Sequence, residues 1–353
     1  MAGNGKIIQV CKVAALYVGT VIGAGFASGQ EIMQFFISFG SRGLAGAVLA
    51  AVLFALLGLI MMGIATARKA ESYADVLPCL MGGKLAGLVD LLSLLMLFGG
   101  LAVMLAGSGA VLNEQFGWPQ YAGTTLAALI TAAVVFGGLQ GVLAINMILV
   151  PLKILFILVV CALTLPTKGL ACPHVETRTA AQAAAGWIWS AVLYVSYNTV
   201  TPLAVLSSLG AHIPRRTAML GGLVGGMLLG AAVFLVAVTG LLFYPEIGGC
   251  QVPMLYIAGN LGGFWRSGLG VLIWVAVVTT AIADTFGFVS RVATRGGRMY
   301  RWAGPATILL ALPLAQLDFA GLIRMLYPLF GYAGLLLMLT LLMSPGWNFC
   351  RRG

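Results

Sequence analysis

The chain has 353 residues, of which 61% are hydrophobic and only 8% are charged, and its formal net charge at neutral pH is +10. A soluble globular domain carries roughly 25% charged residues, so this composition excludes such a domain and indicates an integral membrane protein whose partner is the lipid bilayer. The basic excess would also fit a nucleic-acid-binding protein. Its placement along the chain instead indicates an orientation signal, and no nucleic-acid partner is predicted.

Apolar runs follow one another along the chain, each close to the ~20 residues that a helix needs to cross a bilayer. About ten spans are predicted, at residues 7–39, 43–67, 84–112, 121–141, 143–165, 183–210, 217–243, 266–290, 300–316 and 322–344. With the N-terminus inside, thirteen Lys and Arg residues lie at the inner ends of the spans and five at the outer ends. This asymmetry predicts a multi-pass protein with both termini in the cytoplasm.

The ten spans divide into two sets of five. Because five is odd, the second set must run in the opposite direction to the first, which is the inverted repeat of many secondary transporters. The predicted fold is an all-α integral membrane protein in which residues 1–165 form the first five-helix repeat, 166–182 an outer connecting loop and 183–353 the second repeat. Residues 244–265 are predicted to be an outer loop with a short helix that acts as a lid.

Polar interruptions occur in the first span of each set. Span 1 contains "GAGFASGQE", and span 6 contains "SYNTVTPLAVLSSLG", in which Pro202 removes a backbone donor and disfavours helix at Thr201. Helices 1 and 6 are therefore predicted to be interrupted, and matched interruptions indicate a central substrate site. The alternative is a pair of kinked helices whose small residues allow close packing.

The first interruption supplies candidate substrate-binding residues. Gly23, Ala24 and Gly25 are expected to leave helical geometry and expose N–H groups that favour a substrate carboxylate. Glu31 follows the break, where it would meet a substrate amine or carry a proton. The alternative role for Glu31 is to cap a helix in a water-filled vestibule.

The second interruption is flanked by Tyr194, Tyr197 and Asn198, whose polar ends would contact substrate while the rings shape the pocket. Packing is an equally good explanation for these aromatic side chains. Asp284 also lies deep in a span, and its predicted role is to gate the inner side or to pair with a neighbouring cation.

The stretch "TVIGAGFASGQE", together with the ten-span layout, resembles the YkvI-type membrane proteins of bacteria over nearly the whole chain. That group is similar to the amino acid–polyamine–organocation superfamily, which has the five-plus-five inverted-repeat fold of the bacterial leucine transporter. The resemblance implies a location in the bacterial cytoplasmic membrane and a small amino acid or amine as substrate. This chain departs from many superfamily members because it has ten spans rather than twelve.

A cation site is predicted beside the first interruption. The carbonyl groups of Gly19 and Ile22 are freed just before the break and point towards a cation. The resemblance implies that a sodium site there would be completed by the carbonyl of Ala276 and the hydroxyls of Thr279 and Thr280. In the alternative interpretation both threonines donate to carbonyls of their own helix.

Lys153 lies about 15 Å along span 5, at mid-bilayer depth, where a charge costs roughly 2.5–3.5 kcal/mol to insert. The resemblance implies that a lysine at this position takes the place of a sodium ion. The alternative is a structural pair between Lys153 and Asp284. The coupling ion is therefore H⁺ or Na⁺, and proton-coupled or uncoupled transport is favoured.

The predicted function is secondary active transport of a small amino acid, a related zwitterion or an amine by alternating access. A transporter-like sensor would use the same site. A membrane-embedded enzyme would need a nucleophile–base pair or a metal cluster, whereas His174 and His212 both fall in loops, so no enzyme and no cofactor are predicted. Cys172 and Cys250 lie in two outer loops and are either free or joined by a disulfide.

Overall fold

The computed structural model describes residues 2–137, 140–168, 180–244, 246–292 and 298–343. These described residues form α-helices joined by short turns. The helices are α1 (Ala2–Val21), α2 (Ala24–Ser28), α3 (Gln30–Phe35), α4 (Ser41–Ala67), α5 (Tyr73–Phe116), α6 (Gln120–Gly137), α7 (Gln140–Lys168), α8 (Ala180–Tyr197), α9 (Val200–Ser207), α10 (Arg215–Leu242), α11 (Pro253–Gly259), α12 (Gly263–Val292), α13 (Arg298–Ala315) and α14 (Phe319–Met343). Short 3₁₀ turns occupy Ile37–Phe39 and Glu246–Gly249.

By length and composition, 6 helices in the described part of the chain could cross a membrane. They lie in α4, α5, α7, α10, α12 and α14, and shorter apolar helices occupy Gln120–Phe136 and Trp302–Ala315. The first and sixth predicted spans are each divided between shorter helices, α1 to α3 and α8 to α9. This is a multi-pass helical membrane fold.

The helix bounds follow the predicted apolar runs within a few residues, except in span 3. The prediction began at residue 84, but α5 begins at Tyr73 because Ser72 and Asp75 form a capping box. The Asp75 carboxylate accepts hydrogen bonds from the Ser72 hydroxyl at 3.0 Å and from the Ser72 N–H at 2.9 Å, and these bonds lower the pKa of Asp75. Of the two cysteines considered for a disulfide, Cys172 lies outside the described residues.

Helices α4 and α10 pack closely along a line of glycines, here called the glycine seam: Gly58, Gly222, Gly226 and Gly230. A Cβ atom at Gly58 would collide with the carbonyl of Gly222, and one at Gly222 would collide with the carbonyl of Gly58. In a lipid environment such close backbone approach provides the dispersion contacts that hold helices together. The seam joins a helix of the first half of the chain to a helix of the second.

Helices α5 and α12 form a second, antiparallel pair. At one end Gly270 lies against the Gln115 side chain, and at the other Gly100 lies against the carboxylate of Asp284. Between them the indole Nε1 of Trp274 donates to the Ser108 hydroxyl at 2.8 Å. The pair therefore runs through most of the thickness of the protein and places Asp284 beside α5.

Helix α14 packs against α8, and this contact brings together two site tyrosines. Gly331 and Gly334 allow α14 to approach the backbone of α8, and the Ser196 hydroxyl donates to the carbonyl of Gly331 at 2.7 Å. Tyr197, at the end of α8, consequently faces Tyr327 of α14, with their ring centroids 5.1 Å apart.

Candidate central site

The first interruption of span 1 occurs at Ile22 and Gly23. The Gly23 N–H donates to the carbonyl of Val21 at 2.7 Å, so the Gly19 carbonyl loses its helical partner. Gly23 is extended, with φ −85° and ψ −166°, and α2 begins at Ala24. The prediction that Ala24 and Gly25 also leave helical geometry is wrong, because both lie in the first turn of α2.

A second interruption follows at Gly29, which has φ +80° and separates α2 from α3. This left-handed conformation favours glycine, and a Cβ atom there would also press on Met254 of α11. The turn brings Glu31, in the first turn of α3, back over α2. Its carboxylate lies directly against Gly25, where a Cβ atom would overlap it.

The Glu31 carboxylate is the centre of the site and is only 5% exposed. The Tyr197 hydroxyl donates to Oε2 of Glu31 at 2.5 Å, and the Tyr327 phenol interacts with the same carboxylate. Hydrogen bonds to a charged acceptor are roughly twice as strong as neutral ones, so the two phenols hold the carboxylate in place. Tyr327 was missed in the sequence, because a tyrosine in an apolar span also fits a packing role.

Lys153 of α7 lies near this carboxylate. Its side chain is 4% exposed, and its charge interacts electrostatically with that of Glu31. One turn earlier on the same helix, Val150 lies against Gly19, so Lys153 is next to the break in span 1. Among the described residues no carboxylate forms an ion pair with Lys153, so the structure does not contain the alternative pairing with Asp284.

Span 6 turns at Asn198 and Thr199, between α8 and α9. The Asn198 amide donates to the carbonyl of Tyr194 at 3.0 Å, and the Thr199 hydroxyl donates to the carbonyl of Val195 at 2.7 Å. This interruption is therefore a tightened turn, unlike the extended break in span 1. Thr201 is exposed on the outside of α9.

Tyr194 lies in an aromatic cluster with Phe35, Phe36, Phe54 and Tyr197, at ring-centroid distances between 4.9 and 5.9 Å. Its hydroxyl is buried and has no hydrogen-bond partner among the described residues. The Oε1 atom of Gln30, the residue before Glu31, is also buried without a hydrogen-bond partner among the described residues. Buried polar atoms are nearly always hydrogen-bonded, so these two atoms need a ligand or water as a partner.

The predicted span 8 residues lie on α12, which packs against α2. The hydroxyls of Thr279 and Thr280 both donate to the carbonyl of Ala276, at 3.1 and 2.8 Å. A sodium ion at this position would have to compete with those two hydrogen bonds for the same carbonyl. Asp284, one turn further on, interacts electrostatically with Tyr327.

Helix α11 packs against α2, and its start is held by Glu114, a residue that sequence reasoning passed over because it lies at a helix end. Oε1 of Glu114 accepts hydrogen bonds from the backbone N–H groups of Gln251 at 2.6 Å and Val252 at 3.2 Å. Arg266 of α12 donates to the Glu114 carbonyl at 2.6 Å. These contacts join the end of α5 to the start of α11 and to the first turn of α12, next to α2.

Comparisons with known proteins identify relatives of this chain and structures with a similar fold. The sequence matches no model of a known protein family. The protein called "Uncharacterized membrane protein YkvI" of Bacillus subtilis is 30% identical over 333 residues, which are 92% of each chain. YyaD of the same organism is 29% identical over 337 residues, covering 95% of this chain and 96% of that protein.

Two solved structures show the same fold. MhsT in complex with L-phenylalanine has a TM-score of 0.68 and 15% identity, covering 95% of this chain and 88% of that chain. A manganese transporter of Eremococcus coleocola has a TM-score of 0.61 and 16% identity, covering 95% of this chain and 79% of that chain. The fold is thus the leucine-transporter-like fold that these membrane transporters share. Within this class the chain belongs to the YkvI family of membrane proteins.

Proposed function

We propose that the protein is a secondary active transporter that moves a small amino acid or a related amine across the bacterial cytoplasmic membrane by alternating access. The observation that carries this proposal is the Glu31 carboxylate, buried beside the break in span 1 and held by Tyr197 and Tyr327. A buried carboxylate next to freed backbone groups favours an ammonium group as its ligand. The unpartnered Tyr194 hydroxyl and Gln30 Oε1 provide two further polar contacts for a zwitterion.

The position of the Glu31 carboxylate determines which end of a zwitterionic substrate is expected to face it. Because the Glu31 carboxylate itself lies against Gly25, a substrate carboxylate has to bind closer to Gly23 and Ala24, and the substrate ammonium then faces Glu31. Asn198, which is buried at the second interruption, is assigned to the same substrate site.

We assign coupling to the proton, with Lys153 as the group that responds to it. Lys153 lies one turn after Val150, which contacts Gly19, and its charge interacts with that of Glu31, so gain or loss of one proton changes the net charge of the site. Sodium is the alternative coupling ion, because the freed carbonyl of Gly19 is also a suitable oxygen ligand. Asp284 is assigned to the inner side of the pathway.

The reciprocal packing of the helices supports the inverted repeat. If spans 1 to 5 correspond to spans 6 to 10, the contact of α1 with α10 corresponds to the contact of α8 and α9 with α4. Exchanging the two halves turns α4 into α10 and α5 into α12, so the contact within each of these two pairs is unchanged by the exchange. With the distribution of Lys and Arg, this arrangement supports ten crossings with both termini in the cytoplasm.

The proposal is tested with purified protein in two stages. A thermal-shift screen over amino acids and amines, with and without sodium, identifies ligands, since a ligand of the folded state raises the unfolding temperature. Uptake of the ligands found is then measured in proteoliposomes that contain this protein alone. Glu31→Gln should weaken binding about tenfold or more, because a hydrogen bond to a charged group contributes roughly 1.5–3 kcal/mol. The control, Glu71→Gln, removes an exposed carboxylate and should behave as wild type.

Each outcome discriminates between functions. Binding without uptake would make the protein a sensor, and conversion of the ligand would make it an enzyme.

The coupling ion is tested separately, by comparing uptake between sodium and choline media in the wild type and in Lys153→Ala. Uptake that depends strictly on sodium in the wild type would overturn the proton assignment, whereas sodium-independent uptake that is lost or no longer driven by a pH gradient in Lys153→Ala would support it.

A further inference from the structure

A groove opens between the first turns of α1 and α10, at the end of the molecule where α10 begins. It has a volume of about 640 Å³ and is here called the basic groove. Its walls are Lys6, Ile7, Val10, Pro214, Arg215, Arg216, Thr217 and Leu220. The two helices diverge here, whereas one turn further along Gly221 packs closely against Val13.

The groove is positively charged. Three of its eight lining residues are basic and none is acidic. Lys6 and Arg216 are both exposed, and no acidic residue occurs in the first turn of α10. A ligand that fits this surface is therefore an anion, and the exposed cations of Lys6 and Arg216 can neutralise it.

The groove continues into an apolar stripe along α10. Arg216, Leu220, Val224 and Leu228 are spaced four residues apart and so lie on one face of the helix. The three apolar members are 53%, 37% and 55% exposed. Because the apolar span starts at Arg215, the cations lie at the membrane–water interface and the stripe lies at the depth of the acyl chains.

We propose that the basic groove binds one anionic glycerophospholipid, with its phosphate at Lys6 and Arg216 and one acyl chain along Leu220, Val224 and Leu228. The charge of the groove selects the headgroup. A zwitterionic phosphatidylcholine would bring a trimethylammonium group next to the same cations, whereas phosphatidylglycerol adds only neutral hydroxyls to its phosphate. The exposed stripe selects a lipid over free phosphate, because only a lipid covers it.

The test uses the full chain purified in a mild detergent and titrated with phosphatidylglycerol, phosphatidylcholine of the same acyl chains, or glycerol phosphate. Native mass spectrometry counts the retained molecules and gives the affinity of the first. Phosphatidylglycerol should bind at least tenfold more tightly than the other two probes. In Lys6→Gln/Arg216→Gln this affinity should fall about 25-fold, since each interfacial cation contributes about fivefold.

Two further variants keep the test decisive. Arg68→Gln/Lys69→Gln removes two exposed cations near the end of α4, which packs beside the start of α10, and should retain wild-type affinity. Leu220→Trp fills the groove without changing its charge and should weaken phosphatidylglycerol binding at least fivefold. Equal losses in the Arg68/Lys69 control would overturn the proposal in favour of general surface attraction. Equal affinity for glycerol phosphate, or unchanged affinity in the Lys6/Arg216 variant, would overturn it as well.

Discussion

At the scale of single residues, the site depends on how a buried carboxylate is held. Glu31 has two phenolic partners from two different helices, α8 and α14, and a lysine from a third, α7. Removing one partner of a buried charge is costly, because the charge then lacks compensation. The tyrosines are therefore expected to be positioning residues, and their loss should weaken ligand binding and also lower the stability of the fold.

Replacing either tyrosine should weaken ligand binding, and the effects of the two replacements should not be additive. We expect Tyr197→Phe and Tyr327→Phe each to reduce affinity about tenfold, because the first removes a hydrogen bond to Glu31 and the second removes the other phenol that interacts with this carboxylate. Because both hydroxyls share one acceptor, the double variant should differ measurably from the sum of the two losses. Affinities are measured by calorimetry with a ligand from the screen. Tyr332→Phe, an exposed tyrosine on α14, is the control, and additive effects would contradict a shared acceptor.

The glycines at the first break should respond differently to alanine. A Cβ atom at Gly25 would displace the flexible end of Glu31, whereas the nearest atom to a Cβ atom at Gly23 is the Val21 carbonyl oxygen, 3.9 Å away. Gly25→Ala is therefore expected to fold and to bind ligand at least tenfold more weakly, while Gly23→Ala, which adds a methyl group beside the proposed carboxylate position but displaces no side chain, weakens binding less. Thermal unfolding and ligand titration of both variants check this. If Gly25→Ala bound ligand normally, ligand binding would not depend on the position of the Glu31 carboxylate.

At the scale of elements, the helices were largely predictable and their mutual rotation was not. A run of about 20 apolar residues identifies a span, and Glu31 stood out because a charge in such a run is costly. Which faces meet depends on packing between distant segments, so Lys153 was considered with Asp284 but lies near Glu31. Tyr327 carries no charge and is surrounded by apolar residues, so nothing in its own segment distinguished it.

Helix α11 should be released when its acceptor is weakened. Glu114→Gln retains one carbonyl oxygen but loses the charge that binds the N–H groups of Gln251 and Val252. We expect amide exchange of residues 251–259 to become about tenfold faster, since the charge contributes roughly 1–2 kcal/mol to these bonds. Hydrogen-exchange mass spectrometry measures this. Asp90→Asn breaks an exposed pair with Arg291 at the opposite end of α5 and should leave this exchange unchanged.

At the scale of the whole molecule, the helices form two packed groups. The first group contains α1, α4, α8 and α10, joined by the glycine seam, and the second contains α5, α6, α12 and α13. Tyr197 belongs to the first group, Glu31 lies on α3, which contacts α8 and α10 of that group, and Asp284 belongs to the second group. Alternating access by rigid-body movement of one group against the other would open the central site to each side in turn.

Spin-label distances can test this movement. Exposed positions Val48 on α4 and Leu228 on α10 lie within the first group, and Leu91 on α5 lies in the second. In a cysteine-free background, ligand should change the Val48–Leu91 distance by several ångströms and leave the Val48–Leu228 distance within error. The measurement is double electron–electron resonance in nanodiscs. A constant Val48–Leu91 distance with bound ligand would argue against movement between these groups.

The glycine seam also affects the protein during translation, because its two helices are synthesised at different times. Gly222 follows Gly58, its partner in the seam, by 164 residues, so at ~5–20 residues per second the ribosome needs roughly ten to thirty seconds to supply the partner of α4. During this interval the newly inserted first half presents a groove of bare backbone to lipid. We expect that first half, expressed alone, to be degraded rapidly, and co-expression of the second half as a separate polypeptide to rescue it. Pulse–chase labelling of the two fragments would measure the rescue.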